Sequence, residues 1–137
     1  MSKAIDNLMS AQQRAMAGRP TVGGFPYLAE TLFRAGVQRN IWSLPACQSL
    51  FVTVLGPVVF QGEPLLTGMA DIPPFDREAL IAALRADQTG KSSFPAFLLA
   101  TWQAGVVRYE VDFAARTCTY YGINNEEYFE AYATVEV

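Results

Sequence analysis

Apolar residues recur at helical spacing in four stretches of the chain, and each stretch ends on a breaker. Ile5, Leu8, Met9 and Met16 predict a helix over 3–17, closed by Gly18-Arg19-Pro20. Phe25-Pro26 opens a second helix, with Phe25, Leu28, Ala29, Leu32 and Phe33 on one face and Gly36 at its exit. Asp76 is a good N-cap for a third, which runs to about Asp87 on Leu80, Ile81 and Leu84, with Gly90 beyond it. Ser93-Phe94-Pro95 opens a fourth, carrying Phe97, Leu98 and Trp102 and stopped by Gly105.

Alternating patterns fill the rest. Val37 to Trp42 and Gln48 to Leu55 read as strands around a turn at 43–46, and Val58-Val59-Phe60 as a further short strand. Val107, Tyr109, Val111 and Phe113 alternate with Arg108, Glu110 and Asp112, which predicts one buried and one polar face. Ala114-Ala115-Arg116 then turns the chain into Thr117 to Tyr121. From Tyr128 to Val137 the alternation favours a strand with Phe129, Ala131, Ala133, Val135 and Val137 on one side, although Tyr128 to Tyr132 also fits a short helix. Residues 62–75 hold two glycines and three prolines and read as a connector.

The two halves repeat each other. Phe25-Pro26, Ala35-Gly36-Val37 and Arg39 match Phe94-Pro95, Ala104-Gly105-Val106 and Arg108 at an offset of 69 residues. Six identities in the nineteen positions 25–43 compare with roughly one expected from average composition. The expected fold is therefore α+β. It is an internal duplication of an α-α-β-β unit forming one antiparallel or mixed sheet, with helices packed on one face. The 137 residues make a single domain, 1–137, with halves at approximately 1–68 and 69–137.

Composition narrows the chemistry. With 51% apolar and 17% charged residues the chain can build a core. It has no histidine, which excludes histidine-based triads, general bases and metal ligands. Two cysteines cannot make a cysteine-only zinc site, and neither a metal nor another cofactor is expected. Ten basic against thirteen acidic residues give a net charge of −3, which argues against a nucleic-acid partner. Met1 to Asp6 is not followed by an apolar leader, and Leu50 to Phe60 is too short and too broken to span a bilayer. A cytoplasmic protein with reduced Cys47 and Cys118 and no membrane contact is the expectation.

Few residues form candidate sites. Gly90-Lys91-Ser92 lacks the glycine five positions earlier that a phosphate loop needs, since Arg85 stands there. Glu110 and Asp112 lie on the same side of one strand, a spacing that suits acid–base work on a glycoside and equally suits a solvated face. Arg39 and Arg108, the repeated charges, could clamp an anion between the halves, or each could pair with an acid on the sheet. Tyr109, Asp112 and Tyr121 complete the ligand-binding candidates, and no residue is assigned a catalytic role.

A resemblance accompanies these readings. Ala104-Gly105-Val106-Val107-Arg108-Tyr109-Glu110-Val111-Asp112, Thr119-Tyr120-Tyr121-Gly122, Glu126-Glu127-Tyr128 and Gly62-Glu63-Pro64-Leu65 resemble a bacterial family of unknown function. Its members have about this length and are often labelled "phage envelope protein". The resemblance covers most of the chain and implies no established activity. The expected function is a non-enzymatic protein that binds a partner or small ligand, forms a homodimer and is associated with prophage. The alternative is a small-molecule enzyme or sensor with an anion-binding cleft, in which Tyr109 or Asp112 would transfer the proton.

Overall fold

The computed structural model describes residues 2–137. Helix α1 (Lys3–Gly18) starts where the Ser2 hydroxyl accepts the Ile5 N–H. Helix α2 (Gly24–Arg34) follows and packs along it. Strands β1 (Val37–Ser43), β2 (Gln48–Thr53) and β3 (Gly56–Gln61) form an antiparallel meander. An irregular connector leads to α3 (Arg77–Gln88), capped by the Asp76 carboxylate on the Ala79 N–H. Helix α4 (Phe94–Gln103) is capped by Ser93 and has its proline in the first turn. Strands β4 (Val106–Asp112), β5 (Thr117–Gly122) and β6 (Glu127–Ala131) close the chain.

The six strands make one antiparallel sheet in the order β3-β2-β1-β4-β5-β6, so the class is α+β. Each run of two helices is followed by three strands, one more than the expected α-α-β-β unit. The added strands β3 and β6 are the sheet edges. Strands β1 and β4 meet at the centre, with Arg39 opposite Asp112 and Ser43 opposite Arg108. Backbone features recur at the 69-residue interval. Gly36 and Gly105 have φ of 93° and 87°, and Cys47 and Arg116 have 50° and 57°. The register shifts at Val37/Arg39 and at Val106/Arg108.

All four helices cover one face. Leu8, Leu32, Leu80, Leu84, Leu98 and Trp102 descend from them onto Val37, Phe51, Val106, Val111 and Phe113 in a single core cluster. Burying such side chains stabilises the fold by about 1.5–3 kcal/mol each. Gly105 is demanded twice over. Its φ is left-handed, and a Cβ there would run into the Pro74 carbonyl and the Phe75 backbone. The connector is tied down at that point by the Asp76 N–H on the Ala104 carbonyl, 2.7 Å.

The tail departs from its expected form. Strand β6 stops at Ala131, and 132–137 has no regular structure. Its neighbour β5 begins at Thr117, which pairs with Ala131; one more backbone bond, from the Tyr132 N–H to the Arg116 carbonyl at 3.0 Å, reaches into the β4–β5 turn, and the ladder ends there. Pairing Tyr120 with Tyr128 also turns Tyr128 and Glu130 towards the helices and leaves Phe129 57% exposed. The apolar side of the alternation therefore faces out, opposite to the core.

Candidate ligand-binding cavity

Cross-strand register places four aromatic residues side by side on the helix-covered face. Trp42 pairs with Tyr109, Tyr109 with Tyr120, and Tyr120 with Tyr128. Trp42 and Tyr109 are parallel with ring centres 6.1 Å apart, and Tyr109 and Tyr120 follow at 5.5 Å. The repeated Phe-Pro helix starts come down at the two ends. Phe94 meets Trp42 edge-on at 5.4 Å, and Phe25 meets Tyr132 at 5.2 Å. Aromatic pairs of this kind add about 0.5–1.5 kcal/mol beyond their burial.

The helices pack as two hairpins, α1 on α2 and α3 on α4. Between them and the sheet lies a cavity of about 680 Å³. Its walls come from both halves: Phe25, Leu28 and Leu32 from α2, Leu84 from α3, Phe94 and Phe97 from α4, and Asn40, Trp42, Phe51, Tyr109 and Tyr120 from the sheet. A smaller polar cavity of about 230 Å³ adjoins it, and Met16, Arg19, Phe25 and Asp87 line both.

Polar groups are few and differ in how they are held. Asn40 is buried on the floor, donating to Ser49 Oγ at 2.6 Å and to the Leu50 carbonyl at 3.0 Å. Glu130 accepts from Arg85 at 2.7 Å, from Gln88 at 3.2 Å and from the Tyr128 hydroxyl. Burial opposes its ionisation, but these three donors together hold its carboxyl below the ordinary value. Burial pushes the Tyr109 and Tyr120 hydroxyls well above their ordinary range. It pushes the Cys118 thiol up to about 12. These groups are neutral near pH 7. In that state they can donate hydrogen bonds.

The residues singled out in the sequence divide between the two sheet faces. Tyr109 lines the cavity. Arg39, Arg108, Asp112 and Tyr121 lie on the other face, because each is one position out of phase with Asn40, Tyr109, Val111 or Tyr120. Arg39 and Arg108 share that face but sit four register positions apart, roughly 13 Å. They line neither cavity. Arg108 stacks on the Tyr121 ring at 3.8 Å rather than pairing across the hairpin with an acid. The Asp112 carboxylate accepts the Ala115 N–H at 3.0 Å and so holds the β4–β5 turn. Cys47 and Cys118 are both free thiols. No group of acidic residues and cysteines suited to a metal ion occurs among the described residues.

Trp42 and Tyr120 stand out in the sequence only as part of a general excess of aromatics of the kind that line pockets and interfaces, whereas Asp87, Phe25 and Phe94 are not legible there as site residues. The repeated Phe25-Pro26 and Phe94-Pro95 were the available signal, since a motif kept in both halves marks the two ends of one cavity.

Fold and site together describe a small α+β protein with an aromatic cavity between helices and sheet. Residues 69–131 match the model of a family described as protein of unknown function (DUF1398). That match spans α3 to β6, the second of the two helix–helix–strand units. Uncharacterised proteins of Mycobacterium tuberculosis and Mycobacterium bovis are 57% identical over 136 residues, which is 99% of this chain and 83% of theirs. The chain belongs to this family of unknown function. None of its described helices is long and apolar enough to cross a membrane.

Proposed function

We propose that this protein is a non-enzymatic, cytoplasmic binder of a small molecule with a mainly apolar body, held between the helical hairpins and the sheet. The observation that carries the reading is the aromatic-walled cavity of about 680 Å³ to which both halves contribute. Its volume falls within the roughly 300–1,000 Å³ of small-molecule sites, and its few polar groups suit orientation rather than chemistry. The neutral Tyr109, Tyr120 and Cys118 support binding over catalysis. The alternative of an enzyme working through an anion cleft at Arg39 and Arg108 has less support, because these residues lie on the far side of the sheet.

The test is titration with N-phenyl-1-naphthylamine, an uncharged fluorescent probe of apolar sites. Probe emission should rise while Trp42 emission is quenched, and Leu28→Trp, which fills the cavity, should suppress both. A native protein that leaves the probe unbound at high micromolar concentration ends the reading.

Two further expectations belong to the same proposal. The 69-residue recurrence of positive φ and of register shifts supports a duplicated ancestral unit. Homodimerisation is supported by the uncovered sheet face, where Leu50, Val59 and Phe129 are exposed. Light scattering that returns the 15.0 kDa monomer mass at micromolar concentration would remove the dimer. The binding reading does not call on a prophage origin.

A further inference from the structure

Three charged residues line the large cavity: Arg19, Asp87 and Glu130. Glu130 is already engaged by Arg85, Gln88 and Tyr128. The other half-buried or buried acid near the helices, Glu30, is engaged by Arg116. Asp87 differs. Its carboxylate makes no hydrogen bond and no ion pair among the described residues, although it is only partly exposed. It stands where the aromatic cavity opens into the polar one. Arg19, in the turn between α1 and α2, is exposed, and its aliphatic stem packs towards Gly24.

A half-buried carboxylate with no hydrogen bond or ion pair, beside an apolar cavity and only partly offset by the charge of Arg19, is costly, and the cost falls when an opposite charge arrives in contact with it. A hydrogen-bond donor that is also a cation serves it best, because a carboxylate offers acceptors only. Aromatic walls add a second preference in the same direction, since ring faces attract cations. An anionic group at this position would meet Asp87 with nothing but the exposed Arg19 to offset it.

Resting on the cavity reading above, we propose that the ligand is a cationic amphiphile: an apolar or aromatic body lies among Trp42, Phe97 and Tyr109, and a protonated amine lies against the Asp87 carboxylate at the junction of the two cavities. Burial raises the Asp87 carboxyl above its ordinary value and the Arg19 charge pulls it back, which agrees with an acid lacking a close partner. The polar cavity, with Thr21, Ser92 and the Gly24 backbone around it, has room for the ammonium's remaining donors and their water.

The experiment is calorimetric titration with three matched probes: 1-naphthylmethylamine, 1-naphthylmethanol and 1-naphthoate. They share a ring system and differ mainly in charge. The cation should bind at least tenfold more tightly than the alcohol, and the anion more weakly than either. Asp87→Asn, a near-isosteric change at a partly exposed position, should erase the cation's advantage and leave the alcohol's affinity within twofold. Arg19→Gln should strengthen the cation. Thermal melts of both variants establish that they fold.

If the alcohol binds and the cation gains nothing, or keeps its gain in Asp87→Asn, the amine assignment is overturned while the cavity reading stands. If the anion binds best, Arg19 is the reader and the assignment is likewise overturned. If none of the three binds, the cavity reading falls and the amine with it.

Discussion

Removing the Arg116 side chain should unfold the protein more easily because it strands a buried charge. Glu30 on α2 is 5% exposed. Its carboxylate takes three hydrogen bonds, of 3.1, 3.2 and 3.3 Å, from Arg116 in the β4–β5 turn. The pair joins the first half of the chain to the second. Losing one partner of a fully buried ion pair costs about 3–5 kcal/mol, because the other charge stays behind without water. The Arg116 side chain is 28% exposed, and Arg34 lies 3.9 Å from Glu30, so part of that cost is relieved. Arg116→Met should therefore cost about 2–3 kcal/mol. For a chain of this length that lowers the melting temperature by roughly 7–10 °C. The residue has φ of 57°, which methionine bears no better and no worse than arginine, so the backbone cost cancels in the comparison. Urea unfolding of Arg116→Met, Glu30→Gln and the double variant measures the pair. The double variant should lose at least about 1 kcal/mol less than the two single losses added together. A single loss under about 0.5 kcal/mol, or strict additivity, would show that the pair does not couple the halves.

Three other outcomes are expected. Gly105→Ala should destabilise far more than Gly23→Ala in thermal melts: both positions have positive φ, but a Cβ at Gly23 meets nothing within 4 Å while one at Gly105 meets backbone. Equal losses would mean that the connector yields freely. Cys47 should be alkylated before Cys118 in the native protein at pH 8, since Cys118 is buried with its thiol at about 12 and Cys47 is only half-buried; mass spectrometry after brief iodoacetamide treatment decides the order. Glu130 has a folded pKa below its ordinary 4.5, so its contribution is fully present above that value and is lost as pH falls through the carboxylate range. Glu130→Gln should accordingly flatten the fall in urea midpoint between neutral and acid pH, and an unchanged slope would contradict the Arg85–Glu130 assignment.

The sequence by itself determined the elements. Helix starts at Asp76 and Ser93, helix ends at Gly36 and Gly105, and the strand read over 107–113 and found at Val106–Asp112 follow from local rules of capping, glycine conformation and alternation that need no distant neighbour. The class and the 69-residue recurrence were legible for the same reason, because a repeated local pattern is visible without a fold. The site was not. Which face of β1 and β4 looks into the cavity depends on one residue of register, and a one-residue step exchanges Tyr109 for Arg108. The sequence marks both as notable, and only helices landing on one face separate the cavity from the solvent side. Strand β6 shows the same limit: its apolar alternation is genuine, yet pairing with β5 turns Phe129 outward and Tyr128 inward. Asp87 looks like an ordinary acid near a helix end until Arg19, Met16 and Phe25, some seventy residues away, are folded beside it. Its lack of a partner is a property of tertiary packing, since charge compensation is decided by what lies within a few ångströms in space and not along the chain.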